Sequence, residues 1–127
     1  EMEWLEDKVI EILKSIGYEY SENDYVLLTF CMDKVVSELN SRCHTKELPK
    51  GLEEAAIDRV CGEFLYALKS AGKLEEFDLE QGVSSVKVGD TSVNFSGTSP
   101  DAAFNNLIGT LRNSGEELIK CFRKIQF

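Results

Sequence analysis

The sequence predicts a mainly α-helical fold, a small bundle of four to five helices with one inserted β-hairpin. Two observations lead to this fold class. Apolar residues recur at helical spacing through most of the chain. One stretch after residue 80 instead alternates apolar and polar residues around a Gly-Asp pair. With 127 residues the chain can bury one hydrophobic core but not two, so we expect a single domain over residues 1–127.

The first two helices each have one apolar stripe. The first is predicted over about residues 3–17, with Gly17 as its stop signal. The second is predicted over about residues 24–41, after a polar start at Ser21. The stripes are Leu5, Val9, Ile12, Leu13 and Ile16 in the first helix, and Tyr25, Leu28, Met32, Val35, Val36 and Leu39 in the second.

The third helix, predicted over about residues 51–71, has the broadest apolar face and should be the most buried. A C-terminal helix or helix pair follows over about residues 101–125, where Gly115 interrupts the apolar stripe. Two interpretations stay open. The helix ends near Asn113 and restarts at Ser114 with Glu117 completing a capping box, or it continues and uses Gly115 for close packing.

The change of period predicts a hairpin over about residues 83–96. Val83, Val86 and Val88 precede the Gly-Asp turn, and Val93 and Phe95 alternate with polar residues after it. Two strands alone are marginally stable in water. We therefore expect this ribbon to pack on the helices or to pair with another chain.

Charge is distributed unevenly along the chain. The 23 acidic and 14 basic residues give a net charge of −9. Residues 1–80 hold 19 acidic and 9 basic side chains, and residues 81–127 hold 4 and 5, so the two parts carry −10 and +1. An acidic surface repels phosphate backbones, which disfavours nucleic-acid binding as the main activity.

The sequence also bears on location and cofactors. No stretch approaches the roughly 20 apolar residues of a membrane-spanning helix. The opening EMEWLEDK is acidic where a secretory signal is basic, so we expect a soluble, intracellular chain. The four cysteines lack a paired CxxC spacing. We expect reduced thiols, no metal site and no cofactor.

Residues that could support catalysis are few, and we do not expect an enzyme. The one tempting dyad is Cys43 and His44, but side chains of adjacent residues usually point in different directions. Glutamate pairs such as Glu53–Glu54 and Glu116–Glu117 lie near predicted helix starts. Carboxylates there are explained by the positive end of the helix dipole.

Three segments, taken in order, resemble the head–tail connector, or adaptor, family of tailed bacteriophages and prophages. Leu48-Pro49-Lys50-Gly51-Leu52 before an apolar helix resembles the family's proline-led entry into a long helix. Ser84 to Phe95 resembles its S-x-x-x-G-D-x-S-x-x-F hairpin, and Arg123 to Phe127 resembles its basic C-terminal close. The resemblance covers most of residues 5–127.

The resemblance implies a structural protein of the virion neck, made in the bacterial host cytoplasm. Such subunits form a ring, usually twelve-fold, between the portal protein and the stopper or tail-completion protein. DNA only passes through the channel, and no membrane is involved. Acidic residues in the channel wall would let DNA slide without sticking, because they deny phosphates the ion pairs that give affinity.

By the same resemblance, the hairpin and the C-terminal tail are the expected interface with other subunits and the portal. The expected interface residues are Val86, Lys87, Val88, Asp90, Thr91, Val93, Phe95, Lys120, Arg123, Lys124 and Phe127. The residues themselves leave an alternative open. The chain could be a small acidic helical regulator or protein-interaction adaptor that acts as a monomer or dimer.

Overall fold

The chain is mainly α-helical, as its sequence predicts. A computed structural model describes residues 2–72, 85–88, 91–94 and 100–125, with side chains described over 2–72 and 102–120. The helices are α1 (Glu3–Ser15), α2 (Tyr25–Cys43), α3 (Glu53–Ser70), α4 (Pro100–Arg112) and α5 (Glu116–Ile125). Short 3-10 turns, Glu22–Asp24 and Lys50–Leu52, lead directly into α2 and α3.

Two four-residue strands lie between α3 and α4 in the chain. Strand β1 (Ser85–Val88) pairs antiparallel with β2 (Thr91–Asn94), and Val86 stands opposite Val93. The other residues of the hairpin predicted over 83–96 lie outside the described residues. Five of the expected interface residues therefore have their backbone in these two paired strands.

The first two helices end differently from the prediction, for local reasons. Helix α1 ends two residues early because Gly17 takes a left-handed φ of 94°, and the Tyr18 N–H then closes on the Leu13 carbonyl at 2.9 Å. Helix α2 runs two residues beyond residue 41 and ends with His44 at a φ of 56°. The sequence hid this stop because histidine stands where glycine is usual.

The C-terminal segment is a helix pair, which answers the question left open at Gly115. Helix α4 ends at Arg112, α5 begins at Glu116, and Gly115 has a left-handed φ of 77°. A Cβ placed on Gly115 would lie 2.5 Å from the Ala55 Cβ. The chain therefore breaks here, and the glycine also permits a close approach to α3.

Helix α3 lies at the centre of the core. It packs against α1, α2 and α4, and its residues Val60, Phe64 and Leu65 are fully buried. Gly62 lets α4 approach closely, because a Cβ there would come within 2.9 Å of Leu111 and Arg112. Packing on three sides leaves α3 with one partly open edge, beside α2 and α4.

Candidate interaction site

An exposed apolar strip runs along the outer face of α2. Val26 and Phe30, one turn apart, are 79% and 64% exposed. Tyr66 on the neighbouring α3 is 47% exposed. Large apolar side chains grouped on a surface mark sites of contact with other proteins. We call Val26, Phe30 and Tyr66 the apolar strip.

A groove lies beside the strip, between α2 and α3. Its volume is about 450 Å³, and its wall is mainly apolar. A second groove of about 400 Å³ lies on the other side of Tyr66, between α3 and α4. The wall of the first groove includes Leu27, Phe30, Cys31, Tyr66 and Ala67.

Charged side chains form the rim of the first groove. Glu63 accepts a hydrogen bond from Lys34 Nζ at 2.9 Å and another from Arg112 Nε at 2.7 Å. Burial alone would raise the pKa of Glu63, but the hydrogen bonds from Lys34 and Arg112 outweigh it and lower that pKa. The Arg112 guanidinium also lies 4.4 Å from the centre of the Tyr66 ring. Lys34 and Glu63 border the first groove, whereas Arg112 borders the second, so one positive and one negative charge lie on this rim.

A second cluster of charges joins α5 to the rest of the bundle. Both carboxylate oxygens of Glu116 accept from Arg42 at 2.8 Å, and one also accepts from Arg59 Nη2 at 2.8 Å. Arg59, whose side chain is only 6% exposed, also donates from Nε to the Ser114 carbonyl at 2.8 Å. The hydrogen bonds from Arg42 and Arg59 lower the pKa of Glu116 to about 2. We call Arg42, Arg59 and Glu116 the C-terminal clamp.

Asp58 lies beside the clamp, and its pKa is shifted in the opposite direction to that of Glu116. Its side chain is buried, and burial raises its pKa, although a 2.8 Å hydrogen bond from the Ser114 hydroxyl acts to lower it. Two carboxylates in one corner of the molecule therefore have pKa shifts of opposite sign. Glu116 has two guanidinium partners, whereas Asp58 accepts a hydrogen bond from a neutral hydroxyl.

The cysteines whose side chains are described occupy buried positions. Cys31, Cys43 and Cys61 carry no disulfide. Burial raises the pKa of Cys31 to about 11, so this thiol is protonated at neutral pH. Cys43 is fully buried, whereas the neighbouring His44 is exposed. Among the described side chains, no three His, Cys, Asp or Glu residues form a group that could hold a metal ion.

The expected interface residues of the hairpin are placed only by their backbone. Val86, Lys87 and Val88 lie on β1, and Thr91 and Val93 lie on β2. Asp90 and Phe95 lie outside the described residues. Their assignment to an interface stays a prediction.

The expected interface residues of the C-terminal tail are described in part. Lys120 is exposed on α5, with its Nζ 3.9 Å from a carboxylate oxygen of Glu117. Arg123 and Lys124 lie in the last turns of α5, and Phe127 lies outside the described residues. The structure thus places Lys120 at the surface and leaves the role of the tail a prediction.

The sequence analysis missed the apolar strip and the clamp. Val26 and Phe30 stand four residues apart, off the stripe of Leu28, Met32 and Val35 that predicts the buried face of α2. This four-residue spacing of apolar residues outside the buried stripe is the sequence signal that could have identified the strip. The clamp gave no local signal, because Glu116 lies 74 residues from Arg42 and 57 from Arg59.

Comparisons with known protein families, curated proteins and solved structures find no match to this chain. Among the described helices, none combines the length and apolar character needed to cross a bilayer. The site is therefore interpreted from its own geometry and from the segments that resemble the connector family.

Proposed function

We propose that this chain is a structural subunit of the bacteriophage head–tail junction. It assembles as a ring beneath the portal protein and continues the DNA channel toward the stopper or tail, without catalytic turnover. The observation that carries the proposal is the apolar strip of Val26, Phe30 and Tyr66. A chain that functions alone rarely leaves such side chains grouped and uncovered, whereas a subunit of an assembly needs them.

The order of segments supports the choice of assembly. The proline-led entry to α3, the Gly-Asp hairpin and the basic close of the chain follow one another as they do in the connector family. A two-stranded ribbon is weak alone and is stabilised when a neighbouring chain pairs with its edges. We assign the hairpin to contacts between subunits and the tail from Lys120 to Phe127 to the portal.

The charge of the chain fits a channel subunit. Residues 1–80 carry −10 and residues 81–127 carry +1. An acidic channel wall would repel phosphates and let DNA pass, while a basic tail would dock on an acidic portal surface. An electrostatic map of the assembled ring with a strongly basic lumen would contradict this assignment.

The apolar strip also favours a second candidate, a small acidic helical regulator or adaptor that acts as a monomer or dimer. Such a protein would use the same strip to bind one partner. The two candidates differ in assembly, because a regulator forms no closed ring and has no reason to bind a portal.

Native mass spectrometry and negative-stain electron microscopy of the full chain test the proposal. The chain is measured alone and mixed with a portal protein from the same genome, and we expect a ring in at least the mixture. The double variant Arg123→Glu with Lys124→Glu should lose portal binding, whereas Lys8→Glu on the exposed face of α1 should not. A chain that forms no ring and binds no portal at high concentration would be the regulator.

A further inference from the structure

Four exposed residues spaced four apart form a stripe along α2 and the turn that precedes it. They are Glu22, Val26, Phe30 and Lys34. Residues four apart on an α-helix are neighbours, so Val26, Phe30 and Lys34 form one line on α2, and Glu22 stands in the 3-10 turn where that line starts. The line begins with an acid, ends with a base and has two apolar side chains between them.

We propose that this stripe binds the same stripe of a second copy, antiparallel, around a two-fold axis. In that arrangement Glu22 of each copy faces Lys34 of the other, and Val26 faces Phe30. The pattern is self-complementary in charge and in apolar character, which is what a two-fold interface requires. A parallel arrangement would instead place like charges together, which costs free energy.

The groove between α2 and α3 gives the contact an anchor. Phe30 of the second copy enters the groove of about 450 Å³ beside Leu27, Cys31 and Tyr66, and the two-fold axis repeats this contact. Aromatic side chains seated in such pockets dominate the affinity of protein interfaces. Each copy therefore supplies both an aromatic anchor and a pocket for it.

Lys34 can serve both its own chain and the second copy. Its ammonium has three N–H donors, and one bonds Glu63 at 2.9 Å. Arg112 also donates to Glu63, so that carboxylate keeps a partner if Lys34 turns toward the second copy. A Lys34 ammonium turned in this way would pair with the carboxylate of Glu22 in the second copy.

The two-fold contact and the proposed ring would use the same apolar strip, so a subunit would leave the dimer when it enters the ring. An isologous contact pairs two chains and stops, whereas a ring needs a head-to-tail contact between two different surfaces. The inference therefore concerns the free chain, which we expect to be a dimer that covers the apolar strip. It holds for a connector subunit and for a regulator alike.

Light scattering coupled to size exclusion, and sedimentation over a range of concentrations, test the dimer. We expect twice the chain mass of 14.3 kDa for the wild type. Phe30→Asp should give the monomer. Leu118→Asp, which changes a side chain 48% exposed on α5, is the matched control and should leave the dimer intact. Circular dichroism checks that each variant folds.

A charge exchange tests the antiparallel register. Glu22→Lys and Lys34→Glu should each weaken the dimer by on the order of tenfold, because each alters two symmetry-related pairs. The double variant reverses both pairs and should recover most of the affinity. If the affinity loss of the double variant equals the two single losses multiplied together, the antiparallel register is wrong.

Other outcomes overturn the inference without touching the proposed function. A wild type that stays monomeric at high concentration excludes the dimer. A lower melting temperature of Phe30→Asp would then show that other residues of the same chain cover the strip. Loss of the portal-dependent ring in Phe30→Asp, with no dimer in the wild type, would assign the strip to the ring. A dimer with no ring and no portal binding would instead overturn only the proposed function.

Discussion

At the residue scale, the C-terminal clamp centres on the carboxylate of Glu116, and a more exposed carboxylate, that of Glu38, lies 3.7 Å from Arg59 Nη1. Glu116 accepts from two guanidinium groups, and one of them, Arg59, is almost fully removed from solvent. A buried guanidinium that loses a charged partner keeps its desolvation cost without compensation. Glu116 itself is 37% exposed, so solvent screens its share of the interaction. The buried arginine, more than the carboxylate, sets the cost of breaking the clamp.

We predict that Glu116→Gln lowers the free energy of unfolding at pH 7 by about 1–3 kcal/mol. The amide keeps the shape of the side chain but places an N–H₂ group against one of the arginines. The pKa of Glu116 falls from its ordinary 4.5 to about 2 in the folded chain. The stability it supplies is therefore present above pH 4.5 and is lost as the pH falls through about 2. Urea unfolding at pH 7 and at pH 3 measures both effects.

The next residue provides the control for this prediction. Glu117 has a side chain 92% exposed and makes only a 3.9 Å ion pair with Lys120 in the described part of the chain. Glu117→Gln should change the unfolding free energy by less than about 0.5 kcal/mol. Equal effects of the two substitutions would show that the clamp contributes nothing beyond surface charge.

The sequence predicted the burial of apolar residues better than the burial of charged ones. The stripes of α1 to α3 predicted most of the buried side chains, because periodicity is a local property. Asp58 and Arg59 read as ordinary polar residues of α3, and both are buried. Their partners Ser114 and Glu116 lie 56 and 57 residues away, so only the folded chain brings them together.

At the element scale, the ends of the helices follow from positions where the backbone turns left-handed. Gly17 marked a helix end in the sequence and Gly115 left two interpretations open, and the structure places a left-handed φ at both. His44 ends α2 in the same way without a glycine, so the predicted end was two residues short. The sequence shows which residue types favour a turn, but packing decides where a less favourable residue is accepted.

Gly115 and Gly109 give a matched pair of glycine substitutions, for which we predict opposite effects. Gly115→Ala requires a left-handed alanine and a Cβ 2.5 Å from that of Ala55, so it should cost about 1–3 kcal/mol or more. Gly109 lies within α4 with open space around it, and Gly109→Ala should stabilise by about 0.5–1 kcal/mol. Thermal and urea unfolding of both variants measure the difference. A stable Gly115→Ala chain would contradict the break between α4 and α5.

At the scale of the whole molecule, the bundle is built around α3, and α5 is its most lightly attached described helix. Helix α5 contacts α2 and the turn before α3. Among the described side chains of α5, that of Ile119 is fully buried. Glu116 in its first turn supplies the clamp. The residues that hold α5 thus lie at its start, while the basic residues assigned to the portal lie at its end. Under the proposed function, holding and docking are therefore separated along one helix.

Only those parts of the candidate interaction surfaces that depend on a local sequence pattern could be predicted from the sequence. The order of segments predicts the hairpin and tail as interfaces, and these remain predictions, since among their side chains only that of Lys120 lies in the described part. The apolar strip depends on which face of α2 the core covers, and the groove depends on how α2 and α3 pack. Neither can be read from one helix alone, because both are properties of a pair of elements.

Removal of Lys120 to Phe127 tests the separation of holding from docking. The truncation removes six of the ten residues of α5 but keeps Glu116 and Ile119, so we expect the bundle to fold with a lower melting temperature, equivalent to about 1–3 kcal/mol. Portal binding should fall at least tenfold, because the basic end of α5 is gone. Replacing Lys120, Arg123 and Lys124 by Gln in the full-length chain separates charge from length and should give most of the same loss. A truncated chain that unfolds would place the tail in the core, and one that binds the portal unchanged would move the docking site away from α5.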